Sequence, residues 1–313
     1  MLMVKICLKI GDKMKKSEVN VSNFTFLGLE FNKKQTLIVL IIAAAFFGIM
    51  IGLDALGVNI SWYGVLIGCA FLIALVFAIK LCKFRDLDKE LPYDLIWWIF
   101  PFSIVGARLY YVIFERVPFF WDAFRVWDGG LAIYGGIIGG AIGLIICCLI
   151  KKVNILKAMD IAAPVLILGQ GIGRIGCYTA GCCVGNAVEN EALHFFPISY
   201  FIDGGWHLAT FFYECVLDIA GFFILISLIK RFKESGFVTS AYLLYYGIVR
   251  SVLETFREVS ADNALLIPGT SIKISQLVSI VCVLIGTIGL CYILIKKARS
   301  KVDSNENKVE NSK

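Results

Sequence analysis

The chain has 313 residues, 59% of them hydrophobic and 17% charged, and a net charge of +6. A soluble fold, whose apolar fraction sits nearer half, cannot hide that much hydrocarbon surface. The positive balance is no nucleic-acid footprint, because the lysines and arginines gather in short segments between apolar runs; no nucleic-acid partner is expected.

Residues 1–35 are Lys-rich and too long for the n-region of a cleavable signal peptide, so they are expected to form a basic cytoplasmic tail. Apolar runs of roughly 20 residues then recur, the length a bilayer imposes on a helix. The predicted spans are 36–55, 61–82, 94–114, 131–150, 156–176, 208–229, 237–257 and 274–296. This is the pattern of an all-α polytopic membrane protein with about eight transmembrane helices. Lysines of the N-terminal tail, Lys80, Lys83, Arg85 and Lys89, Lys151, Lys152 and Lys157, Lys230, Arg231 and Lys233, and the basic residues after Lys296 all fall on one face if the spans alternate. By the positive-inside rule that face is cytoplasmic, and so are both termini. The opposite loops are 56–60, 115–130, 177–207 and 258–273; the longest, 177–207, is expected to form a small extracytoplasmic cap. Residues 298–313 are rich in Asn, Ser and Glu and are expected to be a disordered cytoplasmic tail.

Three arginines lie inside predicted spans, toward the outer ends: Arg108 in the third, Arg174 in the fifth and Arg250 in the seventh. An ionised side chain at such depth costs about 2.5–3.5 kcal/mol on insertion scales, so each faces a cavity or a partner. Glu254 and Arg257 follow Arg250 on the same helical face, and an Arg250–Glu254 ion pair is one account of them. Carboxylates look scarce at that depth, so the remaining positive charge calls for an anion. Guanidinium grips phosphate, the abundant anion of a bilayer, with two parallel hydrogen bonds.

The fourth span opens DGGLAIYGGIIGGAIG, whose glycines carry the small-xxx-small spacing of close helix packing. Gly129 and Gly130 at its mouth also let backbone approach a ligand. The fifth span ends GIGRIGCYTAGCCVG, and its glycines are expected to break the helix where Arg174 sits. Six of the eleven cysteines lie in apolar spans and read as small buried hydrophobes. Cys177, Cys182 and Cys183 cluster beyond the fifth span, and three readings stand side by side: packing residues, a disulfide of Cys177 with Cys182 or Cys183, or redox or metal chemistry. C-x4-C-C lacks the ordinary zinc spacing, and no metal or cofactor is expected.

From about Trp62 onward the chain resembles the prolipoprotein diacylglyceryl transferase family. GRIGCYTAGCCVG resembles its G-R-x-G-N-F-x-N-G-E-x-x-G signature, with Arg174, Gly176, Gly181 and Gly185 matching. SWYG (Ser61–Gly64), GARLYYV (Gly106–Val112), GGLAIYGG (Gly129–Gly136), MDIAAP (Met159–Pro164), HLATFFYE (His207–Glu214) and YGIVRSVLETFRE (Tyr246–Glu258) resemble further family motifs in the family's order. The departures are Cys177 and Ala180 for the signature asparagines, Cys182 for its glutamate and Tyr134 for the histidine of the Gly-Gly motif.

The resemblance implies transfer of a diacylglyceryl group from phosphatidylglycerol to the lipobox cysteine thiol of secreted prelipoproteins, with glycerol phosphate leaving. Its setting is the bacterial cytoplasmic membrane, with the site on the extracytoplasmic side, and residues 36–297 would be the transferase-like domain. Arg174, Arg250 and Tyr134 are the candidate catalytic residues. Tyr63, Arg108, Gly130, Gly173, Gly176, Gly181, Gly185, Glu254 and Arg257 are the candidate substrate-binding residues. The phenol of Tyr134 ionises near pH 10 when unperturbed, far from the range of the histidine it replaces, and His207 is another candidate base. The alternative is a catalytically altered, phospholipid-binding relative. A transporter would show internal repeats and charges at the bilayer midplane, and neither pattern is present in the sequence.

Overall fold

The computed structural model describes residues 23–27, 29–32, 41, 45, 47–52, 56–57, 61–114, 130–181, 183–257 and 273–310. The chain divides into two units, Met1–Ser61 and Trp62–Lys313. In the first, β1 (Asn23–Phe26) and β2 (Leu29–Asn32) pair antiparallel, with Phe24 opposite Phe31, inside what was expected to be a plain basic tail. The expected span 36–55 lies mostly outside the described residues, though 47–52 are helical.

The second unit holds α1 (Trp62–Leu81), α2 (Leu91–Phe114), α3 (Ile133–Ile150), α4 (Ile155–Thr179), β3 (Ser199–Ile202), β4 (Gly205–Leu208), α5 (Thr210–Arg231), α6 (Phe237–Thr255) and α7 (Ile274–Glu310). Six of these helices, all but α6, are long and apolar enough to cross a membrane. Their large apolar side chains, such as Ile137, Leu149 and Ile288, point outward, as a hydrocarbon solvent allows. The chain is an all-α, multi-pass membrane protein.

Close packing comes from small residues. The backbone of α2 runs so near α3 that a Cβ on Gly135 would strike the Gly106 carbonyl, and one on Gly139 the Phe102 carbonyl. This is the contact expected from the glycine spacing. Helix α4 is the central element, packed against α1, α5 and α6. Asn154 starts it, its Oδ1 accepting from the amides of Leu156 (2.9 Å) and Lys157 (3.3 Å).

Two expectations change. Helix α4 is not broken at Arg174 but runs on to Thr179. Its glycines make room for neighbours instead: a Cβ on Gly171 would come within 3.1 Å of Asp218 Cβ, and one on Gly176 within 2.9 Å of the Tyr63 ring. Packing close to another helix offsets the intrinsic cost of glycine in a helix interior. At the other end, α7 continues through residue 310, where a disordered tail from 298 was expected. Extending a formed helix adds one hydrogen bond per residue, without the cost of nucleation.

The cap at 177–207 is a β-hairpin, β3 paired antiparallel with β4, Tyr200 opposite His207. It has a small core of Tyr200, Ala209 and Phe211. The expected outer loops 115–130 and 258–273 lie almost wholly outside the described residues.

Candidate functional site

Arg174 sits five residues before the end of α4, Glu214 in the second turn of α5, and Arg250 and Glu254 near the end of α6. Three helices thus bring these side chains to one place. Glu214 Oε1 lies 2.6 Å from Arg174 Nη2 and 2.8 Å from Arg250 Nη1, and Oε2 lies 3.1 Å from the same Arg250 nitrogen. A single carboxylate therefore bridges two guanidiniums. On its far side Arg250 Nη2 pairs with Glu254 Oε2 at 2.9 Å, the pair expected from helical spacing. Glu254 also lies 3.8 Å from Arg257 Nη1 and 3.6 Å from Lys273 Nζ.

Glu214 and Glu254 are almost fully buried, and the side chains of Arg174 and Arg250 are 17% and 12% exposed. The expectation of scarce carboxylates at this depth is thereby overturned. Arg174 and Arg250 both have an acid within reach, because tertiary packing delivers Glu214 from a neighbouring helix. Four cations still face two carboxylates in this network, so it retains a positive excess.

The cap is tied to this cluster. Gly185 and Arg257 form an antiparallel bridge, and the Asn186 amide donates to the Phe256 carbonyl at 2.9 Å. A Cβ on Gly185 would strike the Leu208 carbonyl and come within 2.8 Å of the Thr210 side chain, so only glycine fits the junction. Thr210 Oγ1 donates to the Cys183 carbonyl at 2.9 Å, fixing the start of α5 to the segment after α4. Arg174 Nη1 lies 3.4 Å from Cys183 Sγ, so one end of that guanidinium faces the cysteine segment. Cys177 is buried at the end of α4, while Cys182, and with it one of the possible disulfide pairings, lies outside the described residues.

The remaining sequence candidates fall around this centre. Tyr134, in the first turn of α3, is within electrostatic reach of Arg250 and Glu254. Tyr63 packs its ring on Gly176, and Gly173 faces Ile67. Gly181 has φ +63 and turns the chain after α4. Arg108 is engaged differently: its Nη1 donates to the Gly130 carbonyl at 3.0 Å, and its guanidinium lies 5.3 Å from the Tyr111 ring centre. Gly130 itself has φ +69, and Gly129 lies outside the described residues. His207 directs Nδ1 at the Gly185 carbonyl, 3.0 Å away, and so braces the cap.

Three residues were missed as site candidates: Glu214, Asp218 and Lys273. Glu214 and Asp218 lie one turn apart on one face of an apolar helix, and acids in a span are by default functional candidates, so the signal was present. Lys273 donates to the carbonyls of Glu254 and Arg257, both at 3.2 Å, and nothing in its local sequence marked it.

Residues 32–292 match the family model described as prolipoprotein diacylglyceryl transferase. The phosphatidylglycerol–prolipoprotein diacylglyceryl transferase of Pediococcus pentosaceus is 35% identical over 262 residues, 79% of this chain and 90% of that protein. That of Clostridium perfringens, designated transferase 1, is 36% identical over 251 residues, 78% and 93% of the two chains. That of Listeria innocua is 36% identical over 248 residues, 74% and 85% of the two chains. With most of its length aligned to these proteins and Arg174 and Arg250 gathered into one buried centre, the chain belongs to the prolipoprotein diacylglyceryl transferase family.

Proposed function

We propose that this enzyme transfers the diacylglyceryl group of phosphatidylglycerol to the thiol of a lipobox cysteine in secreted prelipoproteins, at the extracytoplasmic side of the bacterial cytoplasmic membrane. The observation that carries the reading is the convergence of Arg174 and Arg250, from two helices, on the single carboxylate of Glu214. Guanidiniums held that way are preorganised for an anion, and phosphate is the anion a bilayer supplies. The basic segments at the opposite ends of the helices support the assignment of sides.

The reaction needs the acceptor thiol as thiolate. Sulfur attacks the terminal glyceryl carbon, a C–S bond forms, and the C–O bond to phosphate breaks. The electron pair leaves on the phosphate of glycerol phosphate. Arg174 and Arg250 neutralise the charge that grows on that phosphate, where a preorganised donor acts most strongly. Glu254, itself paired with Arg257 and Lys273, holds Arg250 in place. Tyr134 and Tyr63 border the reacting groups, Tyr134 offering its hydroxyl. Gly173, Gly176, Gly181 and Gly185 shape the wall, and Arg108 anchors the Gly130 stretch at its rim.

The test is transfer of labelled diacylglyceryl from phosphatidylglycerol vesicles to a lipobox peptide by purified protein. Transfer that disappears when the acceptor cysteine is serine is expected. No transfer, with phosphatidylglycerol still bound, overturns the reading and leaves a phospholipid-binding relative.

A further inference from the structure

One acidic group beneath the arginine centre, Asp218, has no part in the proposed transfer. Asp218 is one turn deeper than Glu214 on α5 and only 1% exposed, and neither of its oxygens has a hydrogen-bond partner among the described residues. From α4 the facing groups are Arg174 and, against its Cβ, Gly171. From α6 they are Arg250 and the phenols of Tyr242, Tyr245 and Tyr246. On α5 they are Glu214 and Cys215. Two of these phenols are turned elsewhere: Tyr245 donates to the Leu217 carbonyl at 2.7 Å and Tyr242 to Gln170 Oε1 at 3.3 Å. Both arginines make their close pairs with Glu214, not Asp218. An ionised carboxylate in such a place, with no hydrogen bond from the described residues and a second carboxylate one turn away, is expensive to maintain, and the neutral acid is less so.

Glu214 is the opposite case. Among the described residues its charge is held by Arg174 and Arg250, the two groups assigned to the lipid phosphate. A phosphate that engages those guanidiniums competes directly with Glu214 for them. A carboxylate that loses two guanidinium partners in a dry site gains proton affinity.

We propose that Glu214 is the proton acceptor of the transfer, freed from the arginines by the incoming phosphate, and that Asp218 beneath it is kept as an uncharged carboxylic acid so that the arginine pair retains its attraction for phosphate. The step balances. The thiol S–H bond breaks and its proton passes to a Glu214 oxygen, while the sulfur pair forms the C–S bond and the C–O bond breaks toward phosphate. When glycerol phosphate leaves, Glu214 returns the proton to the leaving phosphate or to water and pairs with the arginines again. Asp218 touches no reacting atom and acts through Glu214, as a positioning residue. The assignment supplies an acceptor in a chain whose Gly-Gly motif carries Tyr134.

The inference rests on the transferase reading, and two measurements separate them. The first needs no turnover: infrared spectra of the wild-type protein in phosphatidylglycerol vesicles at neutral pH. A carboxylic-acid C=O band is expected, lost in Asp218→Asn; a wild type without that band overturns the role of Asp218. The second is transfer kinetics from neutral to alkaline pH. Glu214→Gln is expected to lower kcat at least about a hundredfold, the scale of a lost general base, with no rise in KM for phosphatidylglycerol. In the wild type that KM is expected to rise as Asp218 ionises in alkali, because a second negative charge then repels phosphate. The rise is expected to vanish in Asp218→Asn and return in Asp218→Glu. A Glu214→Gln kcat within a few-fold of a working wild type, or an Asp218→Asn pH profile identical to wild type, overturns the inference and leaves the transferase reading intact. A wild type that transfers nothing overturns that reading and the role of Glu214 with it, while the infrared band decides Asp218 independently.

Discussion

Arg85 and Asp160 are 75 residues apart in the chain and meet at 2.9 Å, both fully buried. Asp160 Oδ2 also accepts from the Gly236 amide at 2.9 Å, and Oδ1 accepts from the amide and hydroxyl of Thr239, each at 2.9 Å. These donors begin α6, so a carboxylate on α4 caps another helix where its own N-cap, Gly236, has no side chain. Arg85 Nη1 donates to the carbonyls of Ile229 (3.2 Å) and Phe232 (3.0 Å) at the end of α5. One ion pair thus clamps the α5–α6 turn and sets the start of the helix that carries Arg250. Removing one partner strands the other as a buried charge, so Asp160→Ala is expected to cost roughly 3–5 kcal/mol. Thermal unfolding in detergent measures it; a change below about 1 kcal/mol, the range of an ordinary surface pair, would show that the clamp contributes little.

Arg174 has a different signature. Glu214 keeps Arg250 when Arg174 is removed, so the fold survives better than the activity does. Arg174→Ala is expected to reduce transfer by about 10²–10³-fold, the loss of one preorganised donor to developing charge. Arg174→Lys is expected to recover only a fraction, because an ammonium cannot reproduce the planar fork. Rates measured beside melting temperatures separate this from unfolding.

The cap junction gives a steric test. Gly185→Ala places a methyl group against the Leu208 carbonyl and the Thr210 side chain. The expected cost is about 1–3 kcal/mol, as for other overpacked sites. It should appear as faster proteolysis of the 185–208 hairpin and lower transfer. Unchanged proteolysis would mean that the junction yields without cost.

A pH effect is expected far from the site. Glu234, between α5 and α6, lies 2.7 Å from Lys297, and the hydrogen bond from that ammonium holds its carboxyl below the ordinary glutamate range. A carboxyl depressed on folding contributes stability above the unfolded pKa, near 4.3, and that contribution is lost as pH falls through the lower folded value. Both side chains are partly exposed, so solvent screening limits the contribution to about 0.2–1 kcal/mol. Unfolding of the wild type and Glu234→Gln at neutral and acidic pH should differ only at neutral pH. A difference that persists in acid would remove the ion pair as its cause.

The sequence by itself determined the membrane architecture of the described spans. The bilayer demands a one-dimensional pattern, an apolar run of set length bounded by charge, and that pattern is legible at Trp62–Leu81 or Ile133–Ile150 without any tertiary contact. It also determined the Arg250–Glu254 pair, since residues four apart share a helix face. Only the tertiary structure decided that Glu214 bridges Arg174 and Arg250, because that contact depends on how α4, α5 and α6 rotate and cross. The same holds for the glycines of α4. A glycine that breaks a helix and one that admits a neighbour look alike in sequence, and the Tyr63 ring against Gly176 and Asp218 against Gly171 distinguish them. Asp218 reads as one more acid in a span until its surroundings are assembled. That no donor among the described residues bonds either of its oxygens is a property of three packed helices, and no local pattern along the chain encodes it.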